Sequence, residues 1–119
     1  MSYYILNSLA PNEAAGFLRR GMWDVDADER HRDALASGDR VLIYLGAPRR
    51  EFIGRAELAS AVDPASGVPL AQIEEWDPPV AMSAALEQLS TNPYAKADFD
   101  AGVVLITEHE YEIVVALAT

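Results

Sequence analysis

The sequence predicts an α+β domain: one curved, mixed sheet of about five strands with helices around it. Three observations lead there. Three successive strand-like segments occupy the middle of the chain, with no helix between them to wind a parallel sheet. Helical patterns flank those segments on both sides. The 119 residues, 50% of them hydrophobic, suit a single domain whose core needs neither metal nor disulfide as a staple.

Each element has a local cause. Tyr3–Leu6 is short, aromatic and β-branched, which favours a strand. Pro11-Asn12-Glu13 opens a helix with Asn12 as its N-cap, and Ala14, Phe17 and Leu18 form its apolar face. Arg19 and Arg20 suit the negative helix end, and Gly21 stops it. Met22-Trp23 and the acidic run Asp24–Glu29 follow, then a short helix over His31–Ala36. Val41–Leu45 is uninterruptedly apolar, as in a strand buried on both faces.

Gly46–Arg50 is turn-rich, so Glu51–Leu58 returns as the second arm of a hairpin. On that arm Phe52, Gly54, Ala56 and Leu58 share one face, and Ile53, Arg55 and Glu57 the other. Gly54 has no side chain to pack and marks a bulge, a bend or a close approach. Pro69–Trp76 is a further strand. Pro78-Pro79 is expected to break it, with Pro79 opening a helix that carries Met82, Leu86 and Leu89. Asn92-Pro93-Tyr94 ends that helix, and Gly102–Ile106 is the last strand. Thr107-Glu108-His109-Glu110 is a capping box for a terminal helix, although Ile113-Val114-Val115 suits a strand equally.

Charge is unevenly spread. Nine Lys and Arg stand against 19 Asp and Glu, a net −10. Residues 1–55 are neutral, so residues 56–119, with Lys96 as their one basic residue, carry the whole excess. Such a body repels polyphosphate at long range and argues against a protein that coats a duplex. It leaves room for a protein that takes one nucleotide in a pocket rimmed by arginine, or for one whose acidic half meets a basic protein partner. No apolar run is long enough for a bilayer, and the N-terminus lacks a basic leader region, so a cytoplasmic location is the default expectation.

The chemistry-bearing residues exclude more than they propose. There is no cysteine, hence no thiolate metal site and no cysteine nucleophile. Asp24-x-Asp26-x-Asp28 begins like a calcium loop, but the required Gly is Glu29 and the required bidentate Glu is Leu35. His31 and His109 have no ligand spacing. No nucleophile elbow, P-loop or dinucleotide fingerprint is present. No catalytic residue, metal or cofactor is expected, and the balance leans against an enzyme. Trp23, between a helix stop and a polar loop, suits either a partly buried core position or an aromatic that stacks on a base; Trp76 and Tyr94 read as core residues.

The order of motifs resembles the EVE domain family of the PUA-like superfamily. The resemblance rests on Tyr3–Ser8, then Gly21-Met22-Trp23-Asp24, then Gly38-Asp39-Arg40-Val41-Leu42-Ile43-Tyr44, then Phe52-Ile53-Gly54-Arg55-Ala56, and finally Gly102–Glu108. It covers most of the chain as a single domain, residues 1–119. The chain departs from the family where Tyr3 or Tyr4 replaces an opening Trp, and where Ser8-Leu9-Ala10-Pro11 stretches a Ser-x-Pro.

The resemblance implies a PUA-like β pseudo-barrel with peripheral helices and one pocket that accepts a base, often a modified one, taken out of its strand. By that resemblance Asn7 and Ser8 line the pocket, Trp23 walls it, and Tyr44 and Gly54 lie in the barrel beneath. Gly54 would then let the backbone approach a ligand closely. Arg30, Arg32, Arg40 and Arg55 are candidates for a phosphate at the rim. The expected function is a non-catalytic module that binds DNA or RNA through one flipped or unpaired base. Two alternatives stand beside it: a nucleoside-like sensor or enzyme of the ASCH type, and an acidic protein-interaction module without a ligand.

Overall fold

The computed structural model describes residues 2–8, 11–24, 34–46, 49–60, 67–88 and 103–118. Its elements run β1 (Tyr3–Ser8), α1 (Pro11–Arg20), β2 (Met22–Trp23), β3 (Arg40–Leu45), β4 (Glu51–Leu58), β5 (Val68–Ala81), α2 (Met82–Gln88), β6 (Val103–Ile106) and α3 (Glu108–Ala118). The strands form one curled, half-barrel sheet in the order β2-β5-β4-β3-β1-β6. β1 and β3 run parallel, and every other neighbouring pair is antiparallel. The predicted α+β class with a mixed sheet is therefore what the chain adopts. It has six strands rather than about five, because Met22-Trp23 pairs with Val68-Pro69.

Helices cover both faces of the sheet. One face carries Tyr4, Leu6, Val41, Ile43, Ala56 and Leu58, which pack with Ala14 and Leu18 of α1, Trp23 and Leu35. The other carries Ile5, Leu42, Tyr44, Phe52, Val104 and Ile106, which pack with Met82 and Ala85 of α2 and Tyr111 and Val114 of α3. The period of two along β1 and β3 explains how five consecutive apolar residues are all buried: alternate side chains feed different cores.

Two expectations need correction. Asn12 is not the cap of α1, because the helix already begins at Pro11, the residue type favoured at a first helical position. Pro78-Pro79 does not end β5. Between the pairs Gly54↔Glu75 and Phe52↔Val80 the β4–β5 ladder is interrupted, so neither proline has to supply a ladder N–H. The pairing with β4 resumes at Val80-Ala81, and α2 starts at Met82.

Other features match the sequence. Gly21 closes α1 with a positive φ of 68°, its N–H donating to the Leu18 carbonyl. The capping box forms as spaced: the Glu110 N–H donates to Thr107 Oγ1 at 3.1 Å, and the Thr107 N–H donates to Glu110 Oε1 at 2.8 Å. The ambiguous Ile113–Val115 is helical, since Tyr111, Val114, Val115 and Ala118 form one stripe against the sheet. The expected helix over His31–Ala36 and the turn at Asn92–Tyr94 fall largely or wholly outside the described residues.

Candidate functional site

Arg40 begins β3 and faces Tyr3 on one neighbour and Glu57 on the other. One rung further, Leu42 faces Arg55, and Arg55 faces Glu74 on β5. Strand alternation thus sets Arg40, Arg55 and Glu57 on the α3 side of the sheet. There they border a cavity of about 340 Å³, which Gln72, Glu74 and Tyr111 help to line. The volume lies at the lower end of the ~300–1,000 Å³ span of small-molecule sites. Gln72 reaches the rim because β5 carries an extra residue between the pairs Glu57↔Ala71 and Arg55↔Glu74. Its backbone turns to a φ of 51° there.

The two arginines are held differently. Arg55 Nε and Nη2 both donate to Glu74 Oε2, at 3.2 and 3.1 Å. The other oxygen of Glu74 accepts from the Trp76 indole N–H at 2.9 Å. Those two partners, Trp76 first and Arg55 next, hold the Glu74 carboxyl below its ordinary pKa. Burial is the largest single influence on Arg55 and opposes its charge, but the hydrogen bond to Glu74 and the interactions with Tyr111 and the Glu74 charge together outweigh it, and the guanidinium pKa rises. Arg40 is held loosely. Its Nε lies 3.7 Å from Glu57 Oε1, beyond hydrogen-bond length, and is buried without a hydrogen-bond partner. The four charges around the cavity, Arg40, Arg55, Glu57 and Glu74, sum to zero.

The nine residues proposed from the sequence do not converge. Arg40 and Arg55 meet at the cavity. Asn7 and Ser8 lie at the far end of β1, about 13 Å along the strand from Tyr3. Being consecutive, they point to opposite faces: Asn7 beside Tyr44, Ser8 beside Leu45. Trp23 is only 2% exposed and belongs to the core on the α1 side, where Phe17 meets its ring edge-on at 5.0 Å. Its indole therefore offers no open face among the described residues. Tyr44 is buried against Phe52 in the opposite core, with ring centroids 4.9 Å apart. Arg30 and Arg32 lie outside the described residues.

Gly54 has a different cause from the one expected. A Cβ there would collide with the backbone carbonyl of Glu74, so what approaches Gly54 is β5, not a ligand. Asp39, which follows Gly38 just before β3, is also structural. Its buried carboxylate accepts the Ser2 N–H at 2.9 Å and the Ala36 N–H at 3.1 Å, tying the start of β1 to the turn before β3.

The sequence missed Glu57, Gln72, Glu74 and Tyr111 as site residues. Glu57 and Arg55 are visible as one face of a strand, but their partners come from β5 and α3. Only sheet register and the extra residue at Gln72 bring those together. Among the described residues no group of three or more His, Asp or Glu side chains could hold a metal ion. None of the described helices is long and apolar enough to cross a membrane.

No protein-family model matches the chain, and no curated protein sequence does. Solved structures do match. A crystal structure of a Pseudomonas putida protein shares 18% identity, with a TM-score of 0.78 over 99% of this chain and 100% of that one. The YTH domain of MmI1 aligns at 15% identity and TM-score 0.71, covering 98% of this chain and 95% of that domain. An ASCH protein from Zymomonas mobilis aligns at 15% identity and TM-score 0.63, covering 99% and 96%. The chain therefore has the PUA-like pseudo-barrel fold, the fold these YTH and ASCH domains share with it from end to end.

Proposed function

We propose that this chain is a non-catalytic binding module, of the EVE type within the PUA-like fold, that engages nucleic acid through one unpaired or flipped base. One observation carries the reading: nearly the whole chain is accounted for by the fold of a YTH domain and of an ASCH protein. The polar cavity on the sheet is the supporting detail. Extracting a base from a duplex costs a few kcal/mol, so a single strand is the better ligand.

A second reading is favoured by charge. The net −10 and the zero sum around the cavity suit a free, uncharged nucleoside better than a phosphate chain. Thermal-shift and fluorescence-polarisation measurements separate the two. Single-stranded DNA or RNA should raise the melting temperature and bind more tightly than the matching duplex, with affinity falling as salt rises. Stabilisation by free nucleosides alone would favour the second reading. Stabilisation by neither would overturn both.

A further inference from the structure

The Arg40–Glu57 pair differs from the other described ion pairs. Arg49 and Arg55 each hydrogen-bond their carboxylate directly. Arg40 and Glu57 sit side by side across the β3–β4 ladder, on the rim of the cavity, without closing a hydrogen bond. A guanidinium supplies only donors and a carboxylate supplies only acceptors. Held apart at 3.7 Å, with both side chains partly exposed, the two set guanidinium donors beside carboxylate acceptors on the cavity wall, and a ring edge that spans both can bond each of them.

The complement of that pair is a neutral group with an acceptor beside a donor, as in a cyclic amide or amidine. The rest of the cavity agrees. Glu74 has both oxygens occupied by Arg55 and Trp76, so Arg55 is neutralised and does not recruit an anion. The acidic first turn of α3 borders the same region. The Tyr3 phenol is pushed up by partial burial and then by Glu108, while Arg40 acts against that rise. An added phosphate would meet this field unfavourably, whereas an uncharged ring would not.

We infer that the cavity between Arg40, Glu57, Gln72 and Tyr111 reads the Watson–Crick edge of a single uncharged base-like ring, Arg40 donating to its acceptor and Glu57 accepting from its N–H, with no phosphate contact. This rests on the reading of the chain as a base-binding module and places that recognition on the α3 side of the sheet. A paired base is excluded as a consequence, because the edge that the site uses is the edge that pairing occupies.

The test is calorimetric titration of the full chain with the four nucleosides, their 5′-monophosphates, N3-methyluridine, N6,N6-dimethyladenosine and hydantoin, a bare cyclic amide. At least one nucleoside should bind, its monophosphate should bind no more tightly, and methylation of its edge N–H should abolish binding. Arg40→Gln and Glu57→Gln should each weaken binding by roughly tenfold or more. Glu13→Gln, exposed on α1, should not. Unchanged melting temperatures for the two rim variants would exclude misfolding as the cause.

If a nucleoside binds both rim variants as well as the parent, or binds equally after edge methylation, this assignment is overturned while the proposed function stands. If hydantoin binds in an Arg40-dependent way but no nucleoside or oligonucleotide does, the site stands and the nucleic-acid reading fails. If no ring compound binds, this assignment fails, and if single-stranded oligonucleotides added to the same titration also fail to bind, both readings fail.

Discussion

The two faces of the sheet are built from the same strands and end up with different physics. On the α1 side, alternate residues of β1, β3 and β4 meet an apolar helix face, Leu35 and a whole indole. On the α3 side, the same strands start apolar at Tyr44 and Phe52 but turn charged at Arg40, Arg55 and Glu57. The difference is set by what faces each surface. Trp23 and Phe17 fill the first, whereas on the second α3 offers Tyr111 and an acidic turn, leaving a polar hollow. A sheet can thus spend one face on stability and keep part of the other for recognition, provided the register separates the two sets.

That contrast makes measurable claims. Trp23→Ala should cost about 3–5 kcal/mol in urea unfolding, because the indole is core on the closed face. A Trp23→Ala chain that kept its stability would mean the indole is not packed. Gly54→Ala should cost about 1–3 kcal/mol or more, since β5 must retreat from the new methyl. The same variant should disturb the cavity, because Glu74, whose carbonyl it strikes, also anchors Arg55. Thr107→Ala removes the cap of α3 and should cost about 1 kcal/mol, with faster amide exchange concentrated in the first turn of that helix.

The weakest expected effect is a pH dependence on the polar face. The Glu74 carboxyl titrates lower in the folded chain than in the unfolded one, where it sits at about 4.3. Its contribution is then present above that value and fades as pH falls through the lower folded value. Glu74→Gln lacks the contribution at every pH. The stability gap between parent and variant should therefore narrow on acidification from neutral pH. A gap that widened instead would reverse the assigned sign. Because Glu74 is exposed, solvent screening keeps the gap small.

Much of the architecture was legible from local chemistry. The β3–β4 hairpin, the stop at Gly21, the Thr107–Glu110 box and the amphipathic stripe of α3 follow from residues close to one another in the chain. Such signals act through the backbone within a turn or two. Asn12 and Pro78-Pro79 misled for a related reason. Pro11 suits a first helical position as well as Asn12 suits a cap, and a proline is tolerated in a strand wherever the ladder opens, which depends on the partner strand. Gly54 announced a close approach without announcing what approaches.

Composition and pattern alone sufficed for the class of fold, the strands on either side of the central turn, the stop of α1, the cap of α3 and the acidic second half, because periodicity, capping and charge are properties of short stretches. The location and chemistry of the cavity came from three-dimensional packing. Arg40, Glu57, Gln72 and Tyr111 sit on four different elements, and their meeting depends on strand register, on one extra residue in β5 and on where α3 lands. Those are long-range choices that no local pattern encodes. The same packing sent Trp23 into the core, since an indole beside a short strand is buried or open according to what the distant parts of the chain lay over it.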